Sequence, residues 1–291
     1  MTRLAFIGLG VMGEPMAGHL LAAGHPLTVH TRTKTKADGL LSRGAQWADS
    51  PADAARNADV VFICVTDTPD VQAVVAGENG ILPAARAGMI VVDHSTISPS
   101  ATRAMAEELL RRNVQFLDAP ISGGDVGARN ATLAIMVGGD RGAFDKVEPL
   151  LRIMGKTITH CGPSGTGQLT KLVNQILVTV TNLAVSEALT FAQKNGLNLE
   201  KTIAAVGAGA AGSWQLANLG PKMASGDFRP GFTIDLQQKD LKLVLQAALE
   251  AKSPTIATSL VHQLFTSAQA AGRGEDGTHA LYTVLQRVAS L

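Results

Sequence analysis

Residues 4 to about 160 alternate short apolar runs with longer stretches in which apolar residues recur every three or four positions. Short apolar runs are typical of buried strands, and the longer spacing is typical of helices that pack on them. The alternation predicts βαβ units and a mostly parallel, doubly wound α/β sheet. The predicted strands are Leu4–Ile7, Leu27–His30, Val60–Val65, Ile90–His94, Gln115–Leu117 and Ala134–Val137, and the predicted helices are Pro15–Ala23, Thr35–Arg43, Pro51–Asn57, Val71–Val75 and Ser100–Arg112.

The pattern changes after the loop at residues 162–165, which reads Gly-Pro-Ser-Gly. Residues 166–195 are apolar nearly all round at helical spacing, so they predict one long helix that is buried on every side. The further predicted helices are Leu199–Val206, Leu236–Glu250, Pro254–Ala271 and Ala280–Leu291. We therefore predict a doubly wound domain over residues 1–163 and an all-helical domain over residues 164–291, joined by the long central helix.

The composition narrows the function classes of this 291-residue chain. Apolar residues make up 46% and charged residues 17%, which allows a large buried core and excludes intrinsic disorder. A net charge of +1 and an aromatic content of 4% argue against a nucleic-acid partner and a polybasic membrane surface. No stretch reaches the ~18–20 apolar residues of a membrane span without polar interruption, and Leu4–Ile7 is too short for a signal peptide.

Cysteine and histidine positions argue against metal sites. Cys64 lies in an apolar run and is expected to be a small buried side chain, and Cys161 has no partner at metal-ligand spacing. The histidines form no metal-spaced cluster either, so no metal site and no disulfide framework is expected. Such sparse cysteine use fits a reducing compartment, and we expect a cytoplasmic protein.

Three glycines in Gly8-Leu-Gly-Val-Met-Gly13 follow the first predicted strand and open a helix. The first glycine permits a tight turn, the second lets a pyrophosphate approach the backbone, and the third lets helix and sheet pack closely. The helix N-terminus supplies free N–H groups to the phosphates. The spacing predicts a Rossmann-type dinucleotide site, and the competing interpretation is a structural turn. The predicted cofactor contacts are Gly8, Leu9, Gly10, Val11 and Met12.

The end of the second predicted strand distinguishes the two nicotinamide cofactors. An NAD site usually has an acidic residue there, whereas this chain reads Thr31-Arg32-Thr33 after the strand, and the next acidic residue is Asp38. Arg32 can stack on adenine and bind a 2′-phosphate, with hydroxyl groups and lysines as further donors. We therefore expect NADP(H) to be preferred and NAD(H) to be usable. The competing interpretation is a solvated helix start.

A second glycine pair follows the strand near residue 118, in Asp118-Ala-Pro-Ile-Ser122-Gly123-Gly124. Successive N–H groups beside a serine hydroxyl form an anion nest that fits a carboxylate. An ordinary Gly-Gly turn explains these residues equally well.

Lys171 stands in the otherwise apolar central helix. Asn174 and Gln175 follow it by three and four positions, so the three side chains share one helix face. Burial lowers the pKa of a lysine toward neutrality, which suits a proton donor or acceptor. A lysine that extends to solvent is the equally weighted alternative.

These segments together resemble the β-hydroxyacid dehydrogenases, the family of 3-hydroxyisobutyrate dehydrogenase, tartronate semialdehyde reductase and reductases of succinic semialdehyde. The resemblance covers essentially the whole chain. Its motifs, in order, are Phe6-Ile-Gly-Leu-Gly-Val-Met-Gly13, Asp118-Ala-Pro-Ile-Ser-Gly-Gly124, Gly165-Thr-Gly-Gln-Leu-Thr-Lys-Leu-Val-Asn174 and Lys239-Asp-Leu241, with Asp93-His-Ser-Thr96 as a further match.

The resemblance implies roles for individual residues. It makes Lys171 the catalytic general acid and base and Asn174 the residue that holds it. It assigns the substrate carboxylate to Ser122, Gly123 and Gly124, and Arg32 with Thr33 resembles the NADP-preferring branch. The remaining implied contacts are Gln175 and Trp214 toward the substrate, Thr96 and Lys239 toward the nicotinamide, and Val65 and Thr66 toward the cofactor. Two departures are Gln175, where a second asparagine is common, and the absence of the usual Leu-Pro after Val65.

The expected function is the NADP(H)-preferring interconversion of a small carboxylate-bearing semialdehyde and its hydroxy acid, in a homodimer or homotetramer. An imine reductase-like enzyme on the same fold is one alternative, although those enzymes typically place another residue at position 171. A 6-phosphogluconate dehydrogenase normally has a much longer helical domain. The alternative from another class is a non-catalytic NADP-binding or scaffold module.

Overall fold

The computed structural model describes all 291 residues, which divide into two compact units, Met1–Lys171 and Leu172–Leu291. The first unit contains every strand of the sheet, and the second is helical. The predicted Rossmann-type sheet followed by an all-helical part is confirmed. The division between the units falls inside the long central helix.

The nine strands are β1 (Leu4–Ile7), β2 (Leu27–His30), β3 (Gln46–Trp47), β4 (Val60–Ile63), β5 (Ile90–Asp93), β6 (Gln115–Asp118), β7 (Ile121–Ser122), β8 (Leu133–Gly138) and β9 (Gly155–Gly162). They form one sheet in the order β3-β2-β1-β4-β5-β6-β8-β7, with β9 paired to β8. The strands from β1 to β6 are parallel, and β8 runs antiparallel to β6 and β7. The order of the first six, β3-β2-β1-β4-β5-β6, is that of dinucleotide-binding sheets, in which successive strands are added on one side of β1 and then, from β4, on the other.

Both faces of the sheet are covered by apolar clusters. Successive side chains of a strand point to opposite faces, so each strand contributes to both clusters. Phe6 and Phe62 pack on one face, with ring centroids 5.9 Å apart, and Ile7 and Ile63 pack on the other. Strands β1, β4 and β5 are buried at every position. Burial on both faces explains why these strands are continuous apolar runs in the sequence.

The helices of the first unit are α1 (Gly13–Ala22), α2 (Asp38–Leu41), α3 (Pro51–Ala55), α4 (Thr68–Ala76), α5 (Ile81–Ala84), α6 (Pro99–Leu110), α7 (Gly124–Arg129) and α8 (Arg141–Met154). The sequence prediction missed α8 and the strand β9 that follows it. Gly142 and Pro149 are poor helix formers, but the buried positions from Ala143 to Met154 recur at helical spacing, and the Asp140 carboxylate caps α8 by accepting from the N–H of Ala143 at 2.8 Å.

The long helix α9 (Thr166–Lys194) begins in the first unit and continues into the second. The other helices of the second unit are α10 (Leu199–Gly207), α11 (Trp214–Asn218), α12 (Gly220–Ser225), α13 (Ile234–Ala251), α14 (Ile256–Ala270) and α15 (Leu281–Val288). Two apolar clusters hold this unit together. Leu241 and Phe265 belong to one, and Leu189 and Tyr282 belong to the other.

The expectation that α9 is buried on every side is wrong for a single chain. Leu169, Val173, Leu177 and Phe191 are 43%, 57%, 62% and 68% exposed. At 100° per residue these four positions lie within one stripe of the helix surface, so the apolar circumference includes one open face. The helix is long and apolar enough to cross a membrane. Length and composition alone are weak evidence, because the core helices of soluble proteins meet the same criteria.

Candidate functional site

The predicted cofactor contacts follow four neighbouring strands of the sheet. Because β1, β2, β4 and β5 are parallel and adjacent, their carboxyl ends lie at one edge. The glycine-rich segment follows β1, residues 31–33 follow β2, Val65 and Thr66 follow β4, and Thr96 follows β5. The structure therefore brings these residues to the edge where doubly wound sheets bind their ligands.

The three glycines after β1 differ in why glycine suits each position. Gly8 has a φ of +98°, which favours glycine, and its N–H donates to the carbonyl of His30 at 2.9 Å. A Cβ on Gly13 would collide with the carbonyl oxygen of Gly8, so glycine lets α1 approach β1. A Cβ on Gly10 would meet no heavy atom within 4 Å, so protein packing does not require glycine there. Open space beside Gly10 suits the close approach of a pyrophosphate.

The N-terminus of α1 is the electropositive part of this edge. Met12 occupies the N-cap position and supplies no side-chain hydrogen bond, so the first N–H groups of the helix have no side-chain acceptor there. Val11 is 71% exposed beside them. The N–H of Glu14 donates to the carbonyl of Gly10 at 3.1 Å, and the helix dipole favours a phosphate ligand at this end of α1. The residues present therefore fit a dinucleotide cofactor.

Arg32 lies on the surface and has a carboxylate partner that the sequence analysis did not anticipate. Its side chain is 82% exposed, and Nη1 lies 3.3 Å from Oδ1 of Asp70 in α4. The expectation that no acidic residue lies near the end of β2 is therefore wrong. Asp70 is distant in sequence, but α4 places it beside Arg32. An exposed pair of this kind contributes about 0–1 kcal/mol, less than a charge-assisted phosphate contact of about 1.5–3 kcal/mol.

The segment after β6 forms an exposed turn with two backbone conformations that favour glycine. Gly123 has a φ of +130° and Gly124 a φ of +63°, and both are exposed beside the half-buried Ser122. Helix α7 begins at Gly124. The geometry accommodates the predicted nest of N–H groups, and it also meets the requirements of a Gly-Gly turn.

Lys171 is buried at 7% exposure, so it does not extend into solvent. The start of its helix is held by Asp118, at the end of β6. The two carboxylate oxygens of Asp118 accept from the N–H groups of Gly165 and Gln168, each at 2.8 Å. Burial raises the pKa of Asp118 to about 6, and these N–H donors act in the opposite direction. Asp118 is thus a cap of α9, a role that its place in the predicted substrate segment did not indicate.

Gln168 is a second residue that the sequence analysis missed. Its side chain is fully buried, one helical turn before Lys171. Nε2 donates to the carbonyl of Ser95 at 2.8 Å, and Oε1 accepts from the N–H of Ile97 at 3.1 Å. The two bonds flank Thr96, so this one amide ties α9 to the loop after β5.

The second unit contains a buried polar cluster of its own. Nε2 of Gln175 donates to Oδ2 of Asp240 at 2.6 Å, and Nζ of Lys239 lies 2.7 Å from Oδ1. The Asp240 side chain is only 3% exposed, so the ammonium of Lys239 compensates its charge and the amide of Gln175 supplies a further hydrogen bond. Asn174 is half-buried, and Trp214 at the start of α11 is 65% exposed.

His94 lies buried at the end of β5, directly before the loop that contains Thr96. Its Nδ1–H donates to the carbonyl of Ala119 at 2.7 Å, and its ring stacks on Phe62 with centroids 5.7 Å apart. Burial lowers the pKa of His94 to about 4, so the ring is neutral at neutral pH.

Replacing His94 with glutamine is expected to change how stability depends on pH. Between pH 4 and 6.5 the unfolded chain binds a proton at this histidine and the folded chain does not, so the contribution of His94 rises with pH. The difference in unfolding free energy between wild type and variant should grow by about 3 kcal/mol over that range. Urea unfolding at several pH values measures it, and subtraction cancels the other titrating groups. A difference that does not change with pH would contradict the assignment.

Comparisons with known proteins agree with the layout of both units. Residues 3–162 match the family model described as the NAD binding domain of 6-phosphogluconate dehydrogenase. Residues 165–285 match the family model described as "NAD-binding of NADP-dependent 3-hydroxyisobutyrate dehydrogenase".

Individual relatives cover nearly the full chain. The 2-hydroxy-3-oxopropionate reductase of Escherichia coli is 43% identical over 288 residues, which are 99% of this chain and 98% of that protein. The structure of 3-hydroxyisobutyrate dehydrogenase from Mycobacterium tuberculosis with L-serine is 32% identical, with a TM-score of 0.90, covering 98% of this chain and 99% of that one. An imine reductase from Pseudomonas is 22% identical with a TM-score of 0.64, covering 98% and 99%, and shares only the fold.

Proposed function

Because this chain belongs to the family of NAD(P)-dependent hydroxyacid dehydrogenases that includes 3-hydroxyisobutyrate dehydrogenase, we propose that it interconverts a small carboxylate-bearing semialdehyde and its hydroxy acid, with NADP(H) preferred. It is a dehydrogenase that acts on CH–OH groups. The candidate substrates are tartronate, methylmalonate and succinic semialdehydes. The observation that carries the proposal is a buried lysine on a helix whose first turn is anchored to strand ends at the cofactor edge.

Lys171 is the general acid of the reductive direction. When bound, the reduced nicotinamide supplies a hydride to the aldehyde carbon. Nζ of Lys171 donates its proton to the carbonyl oxygen as negative charge develops there, and takes it back in the oxidative direction. Asn174, three residues further along the same face of α9, orients the lysine amine.

The substrate carboxylate is bound by the N–H groups of the turn at Ser122, Gly123 and Gly124 together with the serine hydroxyl. Because this anchor lies at a fixed distance from the reacting carbon, it contributes by positioning the substrate. Gln175 and Trp214 are further substrate contacts. Thr96, Lys239, Val65 and Thr66 remain cofactor contacts.

Replacing Gly10 with alanine is expected to weaken NADPH binding by about tenfold or more without lowering stability. The added methyl group meets no protein atom within 4 Å, so it intrudes only on the space proposed for the pyrophosphate. Gly13→Ala is the matched control, because its Cβ collides with the Gly8 carbonyl and should lower the melting temperature. Fluorescence titration with NADPH and thermal unfolding separate the two effects. Unchanged NADPH affinity in Gly10→Ala would contradict the assigned position of the cofactor.

Absorbance at the NADPH band after addition of each of the three semialdehydes tests the proposed activity. Turnover of at least one of them is expected. Tight NADPH binding with no turnover on any of them would contradict the proposal and favour a non-catalytic binding module.

The proposal places the protein in the cytoplasm as a homodimer or homotetramer, with no nucleic-acid or membrane partner. Both cysteines are free, which agrees with a reducing compartment. The open apolar stripe on α9, formed by Leu169, Val173, Leu177 and Phe191, supports association between copies of the chain. Light scattering of the purified protein measures the state, and a monomer at micromolar concentration would contradict this part of the proposal.

A further inference from the structure

We infer that Gln168 is a positioning residue that fixes Lys171 relative to the loop carrying Thr96. The inference rests on the proposed function, because it gives this glutamine a purpose in the same reaction. Gln168 touches neither substrate nor cofactor in this account. It acts through the two backbone groups that it binds.

The contacts of Gln168 form a continuous chain across three strand ends. Its side chain holds the carbonyl of Ser95 and the N–H of Ile97, after β5. Oγ of Ser95 accepts from the N–H of Val65, after β4, at 3.0 Å. The backbone N–H of Gln168 donates to Asp118, at the end of β6. Every one of these groups lies in the first unit. Hydrogen bonds therefore connect the first turn of α9 to the ends of three adjacent strands.

A carboxamide is the side chain that this position requires. It presents one donor and one acceptor side by side, and here the two meet a carbonyl and an N–H that are two residues apart. Methionine fills a similar volume and replaces neither bond. A glutamate keeps the acceptor toward Ile97, but when ionised it loses the donor toward Ser95. Leaving those buried backbone groups unpaired frees the loop to move, and Lys171 stands only three residues after Gln168.

We call the two side-chain hydrogen bonds of Gln168, to Ser95 and Ile97, the clamp. The residues around it are closely packed. A Cβ on Gly138 would lie 2.6 Å from Oδ1 of Asp118, and one on Gly167 would lie 2.8 Å from Oδ2. Gln168 and Asp118 are both fully buried. Close packing makes the position of α9 sensitive to the loss of a single bond, and a displacement of about 1 Å at reacting groups can lower a rate about 100-fold.

The experiment compares wild type with Gln168→Met and Gln168→Glu, and uses Gln193→Met as control. Gln193 lies near the far end of the same helix and accepts from the hydroxyl of Tyr282 at 2.6 Å, so this control also loses a side-chain bond. The first readout is amide hydrogen exchange over residues 93–99 in the protein without cofactor. Gln168→Met should speed exchange of this segment about fivefold or more, and the control should leave it unchanged.

The second readout is the steady-state rate with NADPH and with NADPH deuterated at C4. Gln168→Met should lower kcat about 10- to 100-fold and should raise the deuterium isotope effect on kcat, because a misplaced proton donor slows the chemical step. Gln168→Glu should recover activity as pH falls, since a protonated carboxyl again supplies one donor and one acceptor. The control should keep the wild-type isotope effect.

Unchanged exchange over residues 93–99 would overturn the clamp. Normal kcat and isotope effect in both Gln168 variants, or a loss of stability without a change in isotope effect, would overturn the positioning role. If wild type itself reduces none of the semialdehydes, the proposed function has failed, and the exchange readout still decides whether Gln168 orders the loop.

Discussion

Replacing Lys171 with methionine is expected to lower kcat by at least about 100-fold, the usual size of a general acid–base contribution. Methionine fills most of the volume of the buried side chain and lacks the amine that supplies the proton. Without that proton, the alkoxide that develops on the substrate oxygen is not neutralised. The affinity for NADPH should change less than twofold, on the order of the error of a fluorescence titration, because the lysine is not assigned to the cofactor phosphates.

Lys194→Met serves as the matched control, since Lys194 is exposed at the end of the same helix. It should retain wild-type kcat and the same NADPH affinity. Circular dichroism confirms that both variants are folded before rates are compared. A Lys171→Met enzyme with near-normal kcat would show that another group supplies the proton.

Wild type is expected to prefer NADPH over NADH by about 10- to 100-fold in kcat/KM, which corresponds to one charge-assisted phosphate contact from Arg32. NADH remains a substrate because the pyrophosphate and nicotinamide contacts are common to both cofactors. Arg32→Asp replaces the donor with a carboxylate that repels a 2′-phosphate and accepts from a 2′-hydroxyl. The preference should therefore invert, as steady-state kinetics with both cofactors will show.

Asp70→Asn provides the opposite change at the same place. It removes the carboxylate that pairs with Arg32, so the preference for NADPH should rise, by up to about fivefold for an exposed ion pair. A wild type that prefers NADH, with no response to either substitution, would show that Arg32 is only part of a solvated helix start.

The fold was predictable where residues near in sequence determine it. Strands β1, β4 and β5 are buried on both faces, and their unbroken apolar runs are visible without a structure. Helix α8 and strand β9 were missed. The apolar residues of α8 do recur at helical spacing, although Gly142 and Pro149 lower its helix propensity, and β9 mixes apolar with polar residues. The exposure of one face of α9 was also missed. A helix that is apolar on all sides does not reveal which of its faces packs against the rest of the chain.

The candidate site divides in the same way. The glycine-rich segment and Lys171 could be found from local spacing. The partners that organise them could not, because Asp118 lies 50 residues from Gln168 in sequence and Ser95 lies 73 residues from it. Asp70 is likewise 38 residues from Arg32. Such contacts depend on strand order, which brings the ends of distant segments together.

The most direct measurement of the central claim compares succinic semialdehyde with butanal, using wild-type enzyme and NADPH. The two aldehydes have the same chain length and differ in a terminal carboxylate. If the turn at Ser122, Gly123 and Gly124 binds that carboxylate while Lys171 protonates the product, kcat/KM for succinic semialdehyde should exceed that for butanal by at least about tenfold. Equal values for the two aldehydes would contradict the account.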